Sequence, residues 1–174
     1  MARGLWRLAV QHPKSADPLQ VLRYLAASGP EIIVIGRAAA ALHGSPQITL
    51  DVDVIRSRTP QSIDLWLPIL ADLDAWFRHD PADRRLRPNE SHLEGKGALL
   101  LSTRLGPLDL LGALNDGRGY AELLPHTDLF DIGGAEVRVL DLQALIEVKA
   151  AAGREKDKLA VSHLLALVRR TDQK

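Results

Sequence analysis

The chain contains no cysteine, which excludes disulfides and thiolate zinc sites. Aromatic residues make up only 4% of its 174 positions, so few side chains are available to stack on nucleic-acid bases. Lys plus Arg and Asp plus Glu balance at 22 each, and a formal charge of zero creates no global field to recruit nucleic acid or an anionic membrane. No apolar run approaches membrane-spanning length. The apolar part of Met1 to Pro13, Leu5 to Val10, is broken by Arg7 and reads as too short for a signal sequence. There is no internal repeat and no low-complexity linker, and the six histidines show no metal-type spacing. What is present is apolar: with 46% hydrophobic residues disorder is not expected, and the length suits one domain with a real core. The expectation is a soluble, cytoplasmic, single-domain protein over residues 1–174, its core at about 31–140 and a helical pair at 141–170.

Asp17-Pro18 reads as a helix cap followed by proline at the first helical position. Val21, Leu22 and Leu25 form its stripe, and Gly29-Pro30 ends it. Ile32 to Ile35 is a four-residue aliphatic run, short enough for a buried strand. Gly36 follows directly, where a glycine permits a turn that a side chain would obstruct. Ala38 to Leu42 are strong helix formers and Gly44 fits the stop position, with His43 as a cap or packing residue. The first amides of that helix point out of the turn and are able to hold phosphate oxygens.

A second strand carries Asp51 and Asp53, which alternate with Val52 and Val54. Side chains at i and i+2 share one face of a strand, with Cα atoms roughly 6.6 Å apart. If Val52 and Val54 serve the core, the two aspartates lie together on the other face. Their repulsion needs a neutralising partner, and Mg²⁺ favours one or two carboxylates plus phosphate oxygens. The alternative is an exposed edge strand with two solvated aspartates.

After Ile55, residues 56–60 read as a loop. Ile63, Trp66, Leu67 and Leu70 then recur at helical spacing, with Pro68 expected to kink or split the helix. Residues 78–97 are polar and charged, and read as a solvated loop with a ragged strand or, less simply, an acceptor-binding patch of Arg78, Arg84, Arg85, Arg87 and Lys96. Gly97 to Leu101 and Leu108 to Leu111 flank the turn signal at 104–107 and read as a hairpin. Asp109 sits among leucines in its second arm, where burial is costly unless the carboxylate is paired or metal-bound. A one-turn helix near Tyr120, a strand around Leu129 to Ile132 and a Gly133-Gly134 hairpin into Glu136 to Leu140 follow. Asp141 caps a helix from Leu142 to Ala152, closed by Gly153, with Leu142, Leu145 and Ile146 inward and Lys149 next on that stripe. An inward lysine needs a partner: Asp109, another carboxylate, a triphosphate, or solvent reached by snorkelling. The last helix, from about Glu155 to Arg170, turns Val161, Leu164, Leu165 and Val168 inward. Residues 109–141 hold seven acidic and two basic side chains, and residues 149–174 seven basic and three acidic. The two regions are able to close on each other or on a second copy of the chain, as a homodimer.

The order apolar strand, Gly36, then Asp51-x-Asp53 on a strand, with Asp109 later, resembles the DNA polymerase β-like nucleotidyltransferase superfamily, in particular its small bacterial minimal or toxin-type members. The likeness covers roughly residues 31–165 and includes the run from Lys149 to Asp157, similar to a Lys-x-x-x-x-Arg-x-Lys-Asp turn of that group. The chain departs from the pattern at Arg37, in place of the second glycine or serine, and at Gln47, where many small members carry arginine. The resemblance implies an α/β (α+β) nucleotidyltransferase fold: a short, twisted, mixed, mainly antiparallel sheet flanked by helices. It implies transfer of a nucleoside monophosphate from a nucleoside triphosphate, ATP or another, to a hydroxyl, with release of pyrophosphate. Asp51, Asp53 and Asp109 would be the catalytic carboxylates and the ligands of two Mg²⁺ ions. Gly36, Arg37, Ser45, Lys149, Arg154 and Lys158 would contact the nucleotide. The acceptor stays open between an RNA end such as that of tRNA, a protein and a small molecule.

Two other readings remain. A non-catalytic relative would bind nucleotide or a partner protein, as in a toxin–antitoxin pair. A dinucleotide-binding protein would use the Gly36 turn, but no G-x-G-x-x-G occurs there and the aspartate pair would be idle.

Overall fold

The computed structural model describes residues 17–46, 48–80, 84–152 and 155–171. Along the chain the elements are α1 (Pro18–Ser28), β1 (Ile32–Ile35), α2 (Gly36–Leu42), β2 (Val52–Arg56), α3 (Pro60–Asp72), β3 (Trp76–Phe77), α4 (Glu90–Glu94), β4 (Ala98–Thr103), β5 (Gly106–Leu111), α5 (Tyr120–Leu123) with a 3-10 turn at Leu124–His126, β6 (Thr127–Asp131), β7 (Glu136–Leu140), α6 (Leu142–Ala152) and α7 (Glu155–Thr171).

The strands form one seven-stranded sheet in the order β3-β4-β5-β2-β1-β7-β6. β1 lies antiparallel to β2 and parallel to β7, while β2 lies parallel to β5. The remaining neighbours, β3–β4, β4–β5 and β6–β7, are antiparallel. This is the mixed, mainly antiparallel α/β arrangement expected from the sequence. β1, next to the centre of the sheet, is wholly apolar for a physical reason. All four residues of β1 are buried, because a strand covered on both faces reads as an unbroken aliphatic run.

Capping chemistry sets the helix ends. Asp17 accepts from the Leu19 amide at 3.0 Å, and Gly29 at φ 75° closes α1. Thr59 caps α3 by accepting from the Ser62 amide at 3.2 Å. Asp141 caps α6 through the Ala144 amide at 2.7 Å. α2 ends in paired reverse bonds, Gly44 N to Ala41 O at 2.9 Å and Ser45 N to Ala40 O at 2.9 Å, with Gly44 at φ 97°. His43 packs: Nε2 lies 2.9 Å from the Leu140 carbonyl, and its ring meets Phe130 edge-on at 5.0 Å.

The structure corrects several expectations. Pro68 neither splits α3 nor ends it. It and Asp64, whose carbonyl loses a donor, both lie on the exposed side, while Ile63, Trp66, Ile69 and Leu70 anchor the buried side. The segment 78–97 is not wholly a solvated loop. Asn89 and His92 close a capping box around α4, and Leu93 is fully buried, a five-residue helix too short to show periodicity. Arg56 does not begin a loop but closes β2 with no exposed surface. Its Nη2 donates to the carbonyls of Leu93 (2.8 Å) and Gly95 (2.9 Å), at the C-terminal end of α4. Burial, with Arg58 nearby, pushes the Arg56 guanidinium down to about 10. In α6 the buried residues are Ala144 and Leu145, with Leu142 and Ile146 half-buried. In α7 Leu165 is exposed, and Ala160 and Leu164 point inward with Leu167 packed against the core. Gln47, Gly153, Arg154 and Met1 to Pro13 lie outside the described residues.

Candidate metal and phosphate site

The parallel pairing of β2 with β5 places Asp53 directly opposite Asp109. The antiparallel pairing of β1 with β2 places Ile35 opposite Asp53. Gly36, the next residue, therefore arrives at the same spot. Val52 and Val54 point into the core, which leaves Asp53 on the opposite face of β2. Asp51 precedes the strand by one residue rather than lying within it, yet keeps the i, i+2 relation. One carboxylate oxygen from each of Asp51, Asp53 and Asp109 lies within 4.8 Å of the other two. Two residues near in sequence and one 56 positions away from Asp53 thus form a single acidic cluster, as expected.

Gly36 is required there twice over. Its φ is +65°, a conformation that side-chain-bearing residues rarely adopt. A Cβ at that position would overlap Asp53 Oδ2 and come within 3.1 Å of Asp53 Cγ. The turn that opens α2 is thus packed directly on a carboxylate of the cluster.

The electrostatics are those of a site short of positive charge. Burial, then repulsion from Asp109 and Asp51, pushes the Asp53 carboxyl up to about 6, against the opposing pull of Arg37 and Lys149. Burial also raises Asp109, opposed chiefly by Arg78. Asp109 is only 9% exposed, and Arg78 Nη2 donates to its Oδ1. Arg37, exposed, places Nη2 3.4 Å from Asp51 Oδ1. Thr49 Oγ1 donates to the Asp51 carbonyl at 2.8 Å, and lies 3.2 Å from Asp51 Oδ1. A groove of about 410 Å³ opens beside the cluster, lined by Arg37, Ile48, Leu50, Asp51, Arg78 and Pro107.

Of the other sequence candidates, Lys149 is half-buried on α6 and acts on Asp53 through its charge. Ser45 is buried past the opposite end of α2 from Gly36, where its amide closes the helix. Lys158 is exposed on α7. Sequence reasoning missed the role of Thr49 and the pairing of Arg78. The charge-rich segment was the signal for Arg78, but nothing in it singled out one of its five cations.

Three clustered hard oxygen donors, two of them desolvated, are a donor set suited to a hard divalent cation such as Mg²⁺. Among the described residues no helix is long and apolar enough to cross a membrane. No protein-family model matches the chain, and no curated protein matches it significantly in sequence. The structure is similar to the crystal structure of a Thermotoga maritima protein proposed to be a nucleotidyltransferase, with a TM-score of 0.54 and 16% identity over 91% of this chain and 98% of that one. At that identity the likeness is one of fold, and the chain has the mixed α/β fold of that protein.

Proposed function

We propose that the protein is a divalent-metal-dependent nucleotidyltransferase, moving a nucleoside monophosphate from a nucleoside triphosphate to a hydroxyl acceptor. The observation that carries this reading is the junction of Asp51, Asp53 and Asp109 with the Gly36 turn. An acidic cluster alone is a common surface feature. One built around a glycine that only a Cβ-free residue can occupy, at the opening of a helix, couples a cation site to an anion site. The likeness in fold to a proposed nucleotidyltransferase points the same way.

Asp51, Asp53 and Asp109 would hold two Mg²⁺ ions. When bound, those ions neutralise charge on the triphosphate and lower the pKa of the acceptor hydroxyl. The residues of the chain would do the positioning. Gly36 and the amides after it would hold the outer phosphates. Arg37, which opposes the helix dipole when no anion is present, would add a cation there. Lys149 would add positive charge from α6, with Lys158 and Arg154 as further phosphate contacts. The acceptor oxygen would attack the α-phosphorus, the bond to the β-phosphate would break, and pyrophosphate would leave as the hydroxyl proton is lost. Thr49 would keep the Asp51 carboxylate oriented.

The test is incorporation of α-labelled nucleoside triphosphates into size-fractionated cell lysate with and without Mg²⁺. Asp51→Ala and Asp53→Ala are expected to abolish Mg²⁺-dependent labelling while the protein stays folded by circular dichroism. Labelling retained by both variants contradicts the proposal. Triphosphate binding without turnover in any fraction would favour the non-catalytic relative.

A further inference from the structure

We infer that Arg78 is a stand-in cation: it neutralises Asp109 while no metal is bound, and an incoming divalent ion displaces it toward the groove. This rests on the metal reading of the three aspartates and adds a residue that the reading does not use.

The geometry starts from β3. Arg78 follows that strand directly, and its amide donates to the Leu100 carbonyl at 2.8 Å, so the backbone is fixed beside β4. From there the side chain reaches Asp109, 31 positions away, and Nη2 donates to Oδ1. Both side chains are well covered, at 23% and 13% exposure. The guanidinium is poorly satisfied in this position. Its Nε is buried and has no partner among the described residues. Asp109 needs a cation because it shares its surroundings with Asp51 and Asp53. A guanidinium and a divalent ion on the same carboxylate repel each other, so occupancy by one opposes occupancy by the other.

The displaced arginine has a destination. Arg78 and Arg37 both line the groove beside the cluster. A guanidinium turned into it, with Nε and both Nη groups free to donate, suits a phosphate-type anion. Metal entry would therefore convert Arg78 from a partner of Asp109 into a partner of the metal-bound polyphosphate. Metal and anion would bind cooperatively through one side chain.

The experiment is Mn²⁺ titration of the full chain, followed by electron paramagnetic resonance of free Mn²⁺. It is run at pH 8, so that protonation of the aspartates does not compete. Arg78→Gln is expected to bind Mn²⁺ alone about tenfold more tightly than wild type, because the ion no longer has to displace a guanidinium from the carboxylate. Arg78→Lys, which keeps the charge without the fork, should fall between. Arg87→Ala, which breaks only the exposed pair with Asp74, should match wild type. With Mn²⁺ and tripolyphosphate together the order should reverse, wild type binding the complex more tightly than Arg78→Gln. Wild type that binds Mn²⁺ while Arg78→Gln binds it equally or more weakly overturns the stand-in role and leaves the metal site standing. Tighter Mn²⁺ binding with unchanged tripolyphosphate binding overturns the hand-over. Absence of Mn²⁺ binding in every variant overturns the inference together with the metal reading beneath it. Thermal melts without metal confirm that each variant is folded before titration.

Discussion

Replacing Asp53 with asparagine should stabilise the metal-free protein and destroy its response to metal. In the folded chain the Asp53 carboxyl titrates at about 6, against an ordinary value of 3.8, because burial and two neighbouring carboxylates disfavour its charge. Between about pH 4 and pH 6 the folded state therefore binds more protons than the unfolded state. The Asp53 contribution to stability therefore falls as pH rises through that window and levels off above it. The difference between 3.8 and about 6 corresponds to about 3 kcal/mol at most. Asparagine keeps the shape and removes the charge, and its amide is able to donate to Asp51 or Asp109. At pH 7.5 in EDTA, Asp53→Asn should gain about 2–3 kcal/mol, roughly 5–10 °C in melting temperature for a chain of this size. At pH 4.5, where the unfolded carboxyl is still largely ionised, the gap should shrink to about 1 kcal/mol, and it should close only below about pH 3.8. Added Mg²⁺ and triphosphate should raise the wild-type melting temperature by mass action and leave the variant unmoved. Melts by circular dichroism at the two pH values supply every term. A variant no more stable than wild type at pH 7.5 in EDTA, or a gap of equal size at pH 4.5, refutes the reasoning.

Gly36→Ala should lose at least about 2 kcal/mol, since the left-handed backbone alone costs about 1–2 and the new Cβ overlaps Asp53 Oδ2; urea unfolding measures it, and an unchanged midpoint would show that the turn has room. Lys149→Ala removes a charge that lowers Asp53, so the acid limb of Mn²⁺ binding should move to higher pH, read from binding isotherms between pH 5 and 8. Arg56→Ala should destabilise by about 2–4 kcal/mol through the cavity and the freed carbonyls of Leu93 and Gly95, with Mn²⁺ affinity unchanged. A change in Mn²⁺ affinity would place Arg56 within reach of the cluster.

The parts of the fold that were legible in the sequence are those encoded locally. β1, the Gly36 turn, α2 and the Asp51-x-Asp53 strand occupy a continuous stretch in which each residue type has one dominant physical use. The β4–β5 hairpin announced itself through its turn, and Asp109 through its incongruity among leucines. What was not legible depends on pairing across distance. Arg56 resembles any charged residue after a strand, and only the fold reveals that α4 delivers carbonyls to it. Arg78 was one of five cations in a polar segment, and only the β3–β4 register brings it to Asp109. α4 is shorter than the periodicity needed to detect it, and its evidence is a capping box. In α7 the apolar positions admit two stripes, and packing selected the one through Ala160, Leu164 and Leu167 over Leu165.

Anomalous scattering from crystals grown with Mn²⁺ and a non-hydrolysable nucleoside triphosphate tests the central claim most directly. Manganese peaks are expected within ligand distance of Asp51, Asp53 and Asp109, with phosphate density against the Gly36 turn. Manganese bound elsewhere, or a triphosphate remote from Gly36, would contradict it.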